Sequence, residues 1–157
     1  MKVYYLKHQI SSENLRIIGI FSSMDLLNSA IEELKIKPGF MKFNNLIEED
    51  SDELSGFKIF TLTIDELAFR TVTTKALLRK NEIVYILEEK KTVNNSVHWK
   101  VIGAWSDPKY ARQTVIKLKK RTEFADDDLQ DNDSTADGFY ISQVPLDQLD
   151  WVDGFSV

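Results

Sequence analysis

Two runs of carboxylates are the densest chemistry in the chain. Residues 41 to 55 hold Glu48, Glu49, Asp50, Asp52 and Glu53, and residues 125 to 137 hold Asp126, Asp127, Asp128, Asp131, Asp133 and Asp137 without a Lys or Arg among them. Clustered oxygen anions can hold a hard cation, grip a basic protein surface, or imitate phosphates in front of a nuclease. Calcium asks for more than charge, because its ligands must sit on a turn of defined shape. Asp131-Asn132-Asp133-Ser134-Thr135-Ala136 resembles the start of an EF-hand loop, but Ala136 stands where the sharp turn needs glycine and Ser142 where the bidentate glutamate should fall. That leaves charge complementarity to a basic partner, which speeds encounter and sets register. The plainer alternative is a solvated loop whose charge opposes aggregation.

The remaining reactive groups are sparse. The chain has no cysteine, so it has no disulfide, thiolate nucleophile or Cys-ligated zinc. His8 and His98 have no further ligands or base partners at metal-binding or catalytic spacing and read as structural residues. Asp65 and Asp147 recur inside Ile64-Asp65-Glu66-Leu67 and Leu146-Asp147-Gln148-Leu149, where an aspartate suits a turn or cap better than half of a hydrolytic dyad. No glycine-rich phosphate loop follows Gly19 or Gly103. Arg112, Lys117, Lys119, Lys120 and Arg121 form a basic stretch, but Asp126-Asp127-Asp128 beside it would repel phosphate. With a net charge of −5 in 157 residues, direct nucleic-acid binding is disfavoured.

The elements that must position these groups are written twice. Ile17-Ile18-Gly19-Ile20-Phe21-Ser22 returns as Val101-Ile102-Gly103-Ala104-Trp105-Ser106, and Gly56-Phe57-Lys58-Ile59 as Gly138-Phe139-Tyr140-Ile141. Val3-Tyr4-Tyr5-Leu6 and Leu15 to Phe21 read as a strand pair, as do Val84-Tyr85-Ile86-Leu87 and Val97 to Trp105. The second pair's turn is expected to be the longer by three residues. Glycine inside a strand, at Gly19 and Gly103, marks a bulge or a close backbone approach.

A helix follows each pair. Ser23 caps the first; Asp107 caps the second, with Pro108 at the first helical position, where its missing amide costs nothing. Leu27, Ile31 and Leu34, and again Ala111, Val115 and Leu118, stand at i, i+4 and i+7 and should be buried. Pro38-Gly39 ends the first helix. An acidic loop and a third strand complete each unit. The reading is therefore α+β, with two tandem β-β-α-β repeats at 1–69 and 83–157 joined by a connector at 70–82. The expected body is pseudo-twofold, with two helices packed on antiparallel sheet. The connector reads as a short strand at Thr71-Val72-Thr73-Thr74 or a helical turn at Lys75 to Lys80. Trp151 aligns with Phe69 and is expected to close the second core, while Phe155 is left open as a contact for a partner.

Val3 to His8, Ile17 to Ser23, Ala30 to Leu34, Pro38-Gly39-Phe40 and Gly56 to Ile59 resemble a small bacterial domain of unknown function. Its members look like a hairpin, a helix and a returning strand, and often finish in a Trp-x-x-Gly-Phe tail. Trp151-Val152-Asp153-Gly154-Phe155 is similar to that tail. The second copy departs by lacking the histidine and the Pro-Gly-Phe, and the first by lacking the tail. The resemblance implies the fold and no activity. By analogy alone, such domains look like those among bacterial toxin-immunity genes.

No apolar run reaches the roughly 18 residues of a membrane span, and the charged N-terminus does not read as a signal peptide. The expectation is a cytoplasmic, non-enzymatic protein without cofactor or metal. It would bind a basic protein, such as a toxin or nuclease, through Glu48, Glu49, Asp50, Asp52, Glu53, Asp126, Asp127, Asp128, Asp131, Asp133 and Phe155. The alternative is a domain that senses a small molecule or nucleotide in a groove between the repeats. Homo-oligomerisation stays open.

Overall fold

The computed structural model describes residues 1–11, 13–47, 55–67, 82–132 and 134–155. Glu48, Glu49, Asp50, Asp52, Glu53 and Asp133, and the connector up to residue 81, lie outside the described residues. Among the described residues the architecture is α+β, with two helices and two sheets rich in antiparallel pairing.

In chain order the elements are β1 (Lys2–Gln9), β2 (Leu15–Phe21), α1 (Met24–Lys35), β3 (Leu46–Ile47), β4 (Gly56–Thr63), β5 (Glu66–Leu67), β6 (Ile83–Val93), β7 (Ser96–Trp105), α2 (Pro108–Leu118), a 3-10 turn at Thr122–Phe124, β8 (Gly138–Pro145) and β9 (Gln148–Leu149). One sheet runs β3-β4-β1-β2-β9 and the other β5-β7-β6-β8.

The chain forms two compact units. Within the described residues, one holds Lys2–Leu62, Glu82 and residues 145–155; the other holds Met1, residues 63–67 and Ile83–Val144. The units therefore divide the chain differently from the linear cut into 1–69, 70–82 and 83–157. The segment after β4 belongs with the later hairpin, and the segment after β8 belongs with the earlier one.

In the unit built mainly from the first half, β1 and β2 pair antiparallel with a bulge. Leu6 faces Gly19 and Lys7 faces Ile17, leaving Ile18 as the extra residue. β9 lies on the far side of β2 with Leu149 opposite Gly19. A side chain at Gly19 would collide with the Gln148 carbonyl, so glycine is required there by the close approach of this strand. Ser23 caps α1 by accepting from the Leu26 amide. The helix lays Leu27, Ala30, Ile31 and Leu34 on Leu6, Ile18, Phe21, Phe40 and Phe57, all buried. Each of the Leu, Ile and Phe side chains contributes roughly 1.5–3 kcal/mol by leaving water.

In the other unit the hairpin β6–β7 repeats the bulge: Leu87 faces Gly103, Glu88 faces Val101, and Ile102 is extra. Here the expectation of a longer turn is corrected. Val93 pairs with Ser96 across only Asn94 and Asn95, which have φ of 51° and 63°. Asparagine tolerates this left-handed region, so a two-residue turn closes and the additional residues lengthen the ladder instead. The first hairpin spans the longer interval, from Gln9 to Leu15. Asp107 caps α2 by accepting from the Lys109 amide, with Pro108 at its start. Ala111, Val115 and Leu118 pack on Leu87, Ile102, Trp105, Phe124 and Phe139.

Candidate partner-binding surface

The described part of the second acidic segment is held by one buried carboxylate. Asp127 is only 7 % exposed, which corrects the expectation that it faces a partner. Lys91 Nζ lies 3.2 Å from Asp127 Oδ2 and 2.9 Å from Oε1 of Glu89, itself buried. The ammonium thus bridges the two carboxylates at ion-pair distance. It also donates to the Glu123 carbonyl at 2.9 Å. Burial pushes the Glu89 carboxyl above its ordinary value, Lys91 draws it back, and Asp127 adds to the rise. Proximity to Glu89 in turn raises Lys91.

Backbone bonding completes the clamp. The Phe139 amide donates to the Asp128 carbonyl at 2.8 Å and the Gln130 amide to the Phe139 carbonyl at 2.8 Å, with Leu129 bridged in parallel to Phe139. Residues 128–130 thus run along β8. What they leave outward is Asp126, Asp128, Asp131 and Leu129, the last 42 % exposed. Lys119 of the region just after α2 reaches Asp128 in an ion pair. The other unit has a similar edge: β3 runs parallel to β4 with Leu46 opposite Phe57, the Phe57 amide donates to Asn45 at 2.7 Å, and Leu46 is 55 % exposed.

Asp137 is not free for a partner. It accepts from the Thr92 amide and hydroxyl, each at 2.8 Å, and the amide bond holds its carboxyl below the ordinary range. The same strap occurs twice more. Asp147 accepts from the Ser22 amide at 2.6 Å and hydroxyl at 2.8 Å; Asp65 accepts from the Ser106 amide at 2.9 Å and hydroxyl at 2.8 Å. Asp147 and Asp65 have φ of 59° and 63°, the turn conformation their sequence context predicts. Each ties down the serine that follows a hairpin's second strand.

His8 sits among aromatic rings rather than reactive groups. It is fully buried, with ring centroids 4.8 Å from Phe40, 4.8 Å from Phe57, 5.8 Å from Phe155 and 6.3 Å from Trp151. Its Nε2 lies 2.7 Å from the Phe43 carbonyl, which can only accept, so Nε2 carries the proton. Nδ1 is left buried with no partner. Burial holds the imidazole below its ordinary value of 6.5, against the pull of that carbonyl. Such a ring has no relay to carry a proton. Trp151 packs here, on the Phe40 and Phe57 cluster. It closes the core of the first hairpin, not the second as its alignment with Phe69 suggests. Phe155 lies against Trp151 at 4.9 Å and is half-buried.

An open cleft of about 320 Å³ lies within the unit of the later hairpin, lined by Tyr85, Pro108, Arg112, Leu129, Gln130, Asp131, Asn132, Ile141 and Gln143. Among the described residues no group of three or more His, Cys, Asp or Glu side chains could hold a metal ion, and no helix is long and apolar enough to cross a membrane.

The sequence marks the carboxylates but not Lys91 in β6, the cation that pairs with both Asp127 and Glu89. The serines of the straps were visible as the recurring Ser22-Ser23 and Ser106-Asp107, though nothing local names their aspartates. No curated protein and no solved structure matches the chain. Residues 1–66 match the family model described as Domain of unknown function (DUF7336), so this stretch is similar to a domain whose function is itself unassigned.

Proposed function

We propose that this chain is a non-enzymatic module that binds a basic protein partner through the 126–131 segment. The observation that carries the reading is the burial of Asp127 against Lys91. A carboxylate held inside fixes its neighbours outside, so Asp126, Asp128 and Asp131 face solvent around the exposed Leu129 without having to be ordered on binding. Preorganised charge beside an apolar contact suits tight recognition, because less conformational entropy is lost on association. The most concrete version is a cytoplasmic bacterial immunity protein that covers the basic surface of a toxin. The same reading takes Glu48, Glu49, Asp50, Asp52, Glu53 and Asp133, which lie outside the described residues, and Phe155 as further partner contacts.

We also infer that the chain is a tandem duplication of one β-β-α-β unit whose ends are exchanged. Matched bulges at Ile18 and Ile102, matched edge bonds to Phe57 and Phe139, and matched aspartate–serine straps support this.

The test is affinity capture from the native host with the intact chain and with an Asp126→Asn, Asp128→Asn, Asp131→Asn triple variant. The expected result is a basic partner lost from the variant and eluted from the native chain as salt rises. Equal retention by both proteins at all salt concentrations would overturn the acidic-surface reading.

A further inference from the structure

The turn after α1 and the tail that follows β9 meet at one point and leave an apolar surface around it. Gly39 and Gly154 touch backbone to backbone, with no room for a side chain on either. Phe40 and Trp151 go inward from these two segments, onto the aromatic cluster. Their apolar neighbours are left outside. Ile36, three positions before Gly39, is 77 % exposed, the highest value for a large hydrophobic side chain among the described residues. Met41, two positions after Gly39, is 59 % exposed, and Val152, two before Gly154, is 38 % exposed. Pro38 is exposed as well. All belong to the unit built mainly from the first half of the chain. One exposed isoleucine needs no explanation, but several apolar side chains gathered at one backbone contact mark an interaction surface.

The charges around this patch divide by segment. On the turn side Glu32 and Glu33 are paired with Lys35 and Lys37, which leaves Lys42 as the surplus charge of residues 32–43. On the tail side residues 148–155 carry Asp150 and Asp153, both exposed, and no cation. A surface with one sign on each side of an apolar centre is complementary to itself. A twofold axis through that centre lays the positive side of each copy on the negative side of the other, and the apolar residues on one another, as an isologous interface requires.

We propose that this patch is the interface of a homodimer, with Ile36, Met41 and Val152 at its centre and Lys42 facing Asp153 of the partner subunit. The patch is small, which suits a weak, concentration-dependent dimer rather than an obligate one. It uses neither the 126–131 segment nor Phe155, so it is independent of the protein-binding reading.

The test is sedimentation equilibrium of the intact protein between about 5 and 500 µM, a window that reaches dissociation constants in the micromolar range. The native chain is expected to move from monomer toward dimer across it. Ile36→Ser should weaken the dimer by at least about tenfold, because the substitution falls on both sides of a twofold interface. Lys42→Glu and Asp153→Lys should each weaken self-association, since each homodimer then sets like charges together. An equimolar mixture of these two variants should associate again, because both cross-contacts are then between opposite charges. That recovery also shows that both variants are folded. A native chain that stays monomeric to about 500 µM would overturn the proposal, as would a mixture that associates no better than its components. If the native chain stays monomeric and capture from the host retains a protein that Ile36→Ser loses, the patch belongs to a different protein and the homodimer is refuted. The Asp126→Asn, Asp128→Asn, Asp131→Asn triple variant should dimerise as the native chain does, which separates failure of this interface from failure of the acidic-surface reading.

Discussion

Gly39 and Gly154 meet backbone to backbone. A Cβ placed on Gly39 would lie 2.6 Å from Cα of Gly154, and one placed on Gly154 would lie 2.5 Å from Cα of Gly39. Real carbon atoms do not approach so closely, and neither neighbour is a side chain that can swing away. The contact joins Pro38-Gly39-Phe40 to the Trp151-to-Phe155 tail and thereby shuts the aromatic cluster over His8.

Gly154→Ala is therefore expected to destabilise the protein by about 2–4 kcal/mol. The steric clash adds to the strain of a residue at φ 72°, a conformation that alanine adopts poorly. Urea unfolding measures the loss. Limited proteolysis separates its origin, since cleavage near Trp151 should rise while the β6–β7 hairpin stays protected. Unchanged stability in Gly154→Ala would show that the tail does not close against Gly39.

The Asp147–Ser22 strap predicts coupling between residues far apart in sequence. Asp147→Asn should cost less than Asp147→Ala, because asparagine keeps both an acceptor and a tolerance for the left-handed turn. In a double-mutant cycle, Asp147→Ala with Ser22→Ala should show a coupling of about 1–2 kcal/mol from the side-chain bond. The Ser22 amide bond survives Ser22→Ala, so part of the cost of losing Asp147 should persist in the Ser22→Ala background. A coupling within error of zero would mean that the strap is incidental to the fold.

The buried imidazole sets a direction for acid sensitivity. His8 binds its proton less readily when folded than its ordinary value of 6.5, so the unfolded chain holds more protons below that value. Its contribution to stability is complete above about pH 6.5 and is lost as pH falls through the folded value. Glu89 works the opposite way. Its folded value is raised above 4.5, so its contribution is present below that value and is lost as pH rises through the folded one. Unfolding midpoints measured from pH 8 to 5 should fall on acidification in the native chain. They should fall less in His8→Gln, which can keep a donor toward Phe43, and fall more in Glu89→Gln. Equal slopes in all three proteins would remove both groups from the pH dependence.

The separation between sequence and tertiary structure follows from the range of each interaction. Within one turn or one ladder, periodicity and capping were enough. Ser23 and Asp107 start the helices, Leu27, Ile31, Leu34, Ala111, Val115 and Leu118 form their buried faces, and the glycines at 19 and 103 mark bulges. Asn94-Asn95 was also legible in principle, since two residues tolerant of positive φ announce a tight turn; counting the interval between hydrophobic runs hid it.

Anything that depends on which distant segment arrives was decided only by the tertiary structure. Asp147 and Asp65 look like ordinary turn residues until each is seen against a serine encoded in the opposite half of the chain. Trp151 and Phe155 look like the end of the second half until they meet His8, Phe40 and Gly39. Asp127 looks like one more exposed carboxylate until Lys91, thirty-six positions earlier, pairs with it and leaves it buried. Pattern in a sequence reports which residues prefer to leave water or bend the chain. It carries no signal for which partner a segment finds, because that choice rests on packing and charge pairing summed over residues remote from one another in the sequence.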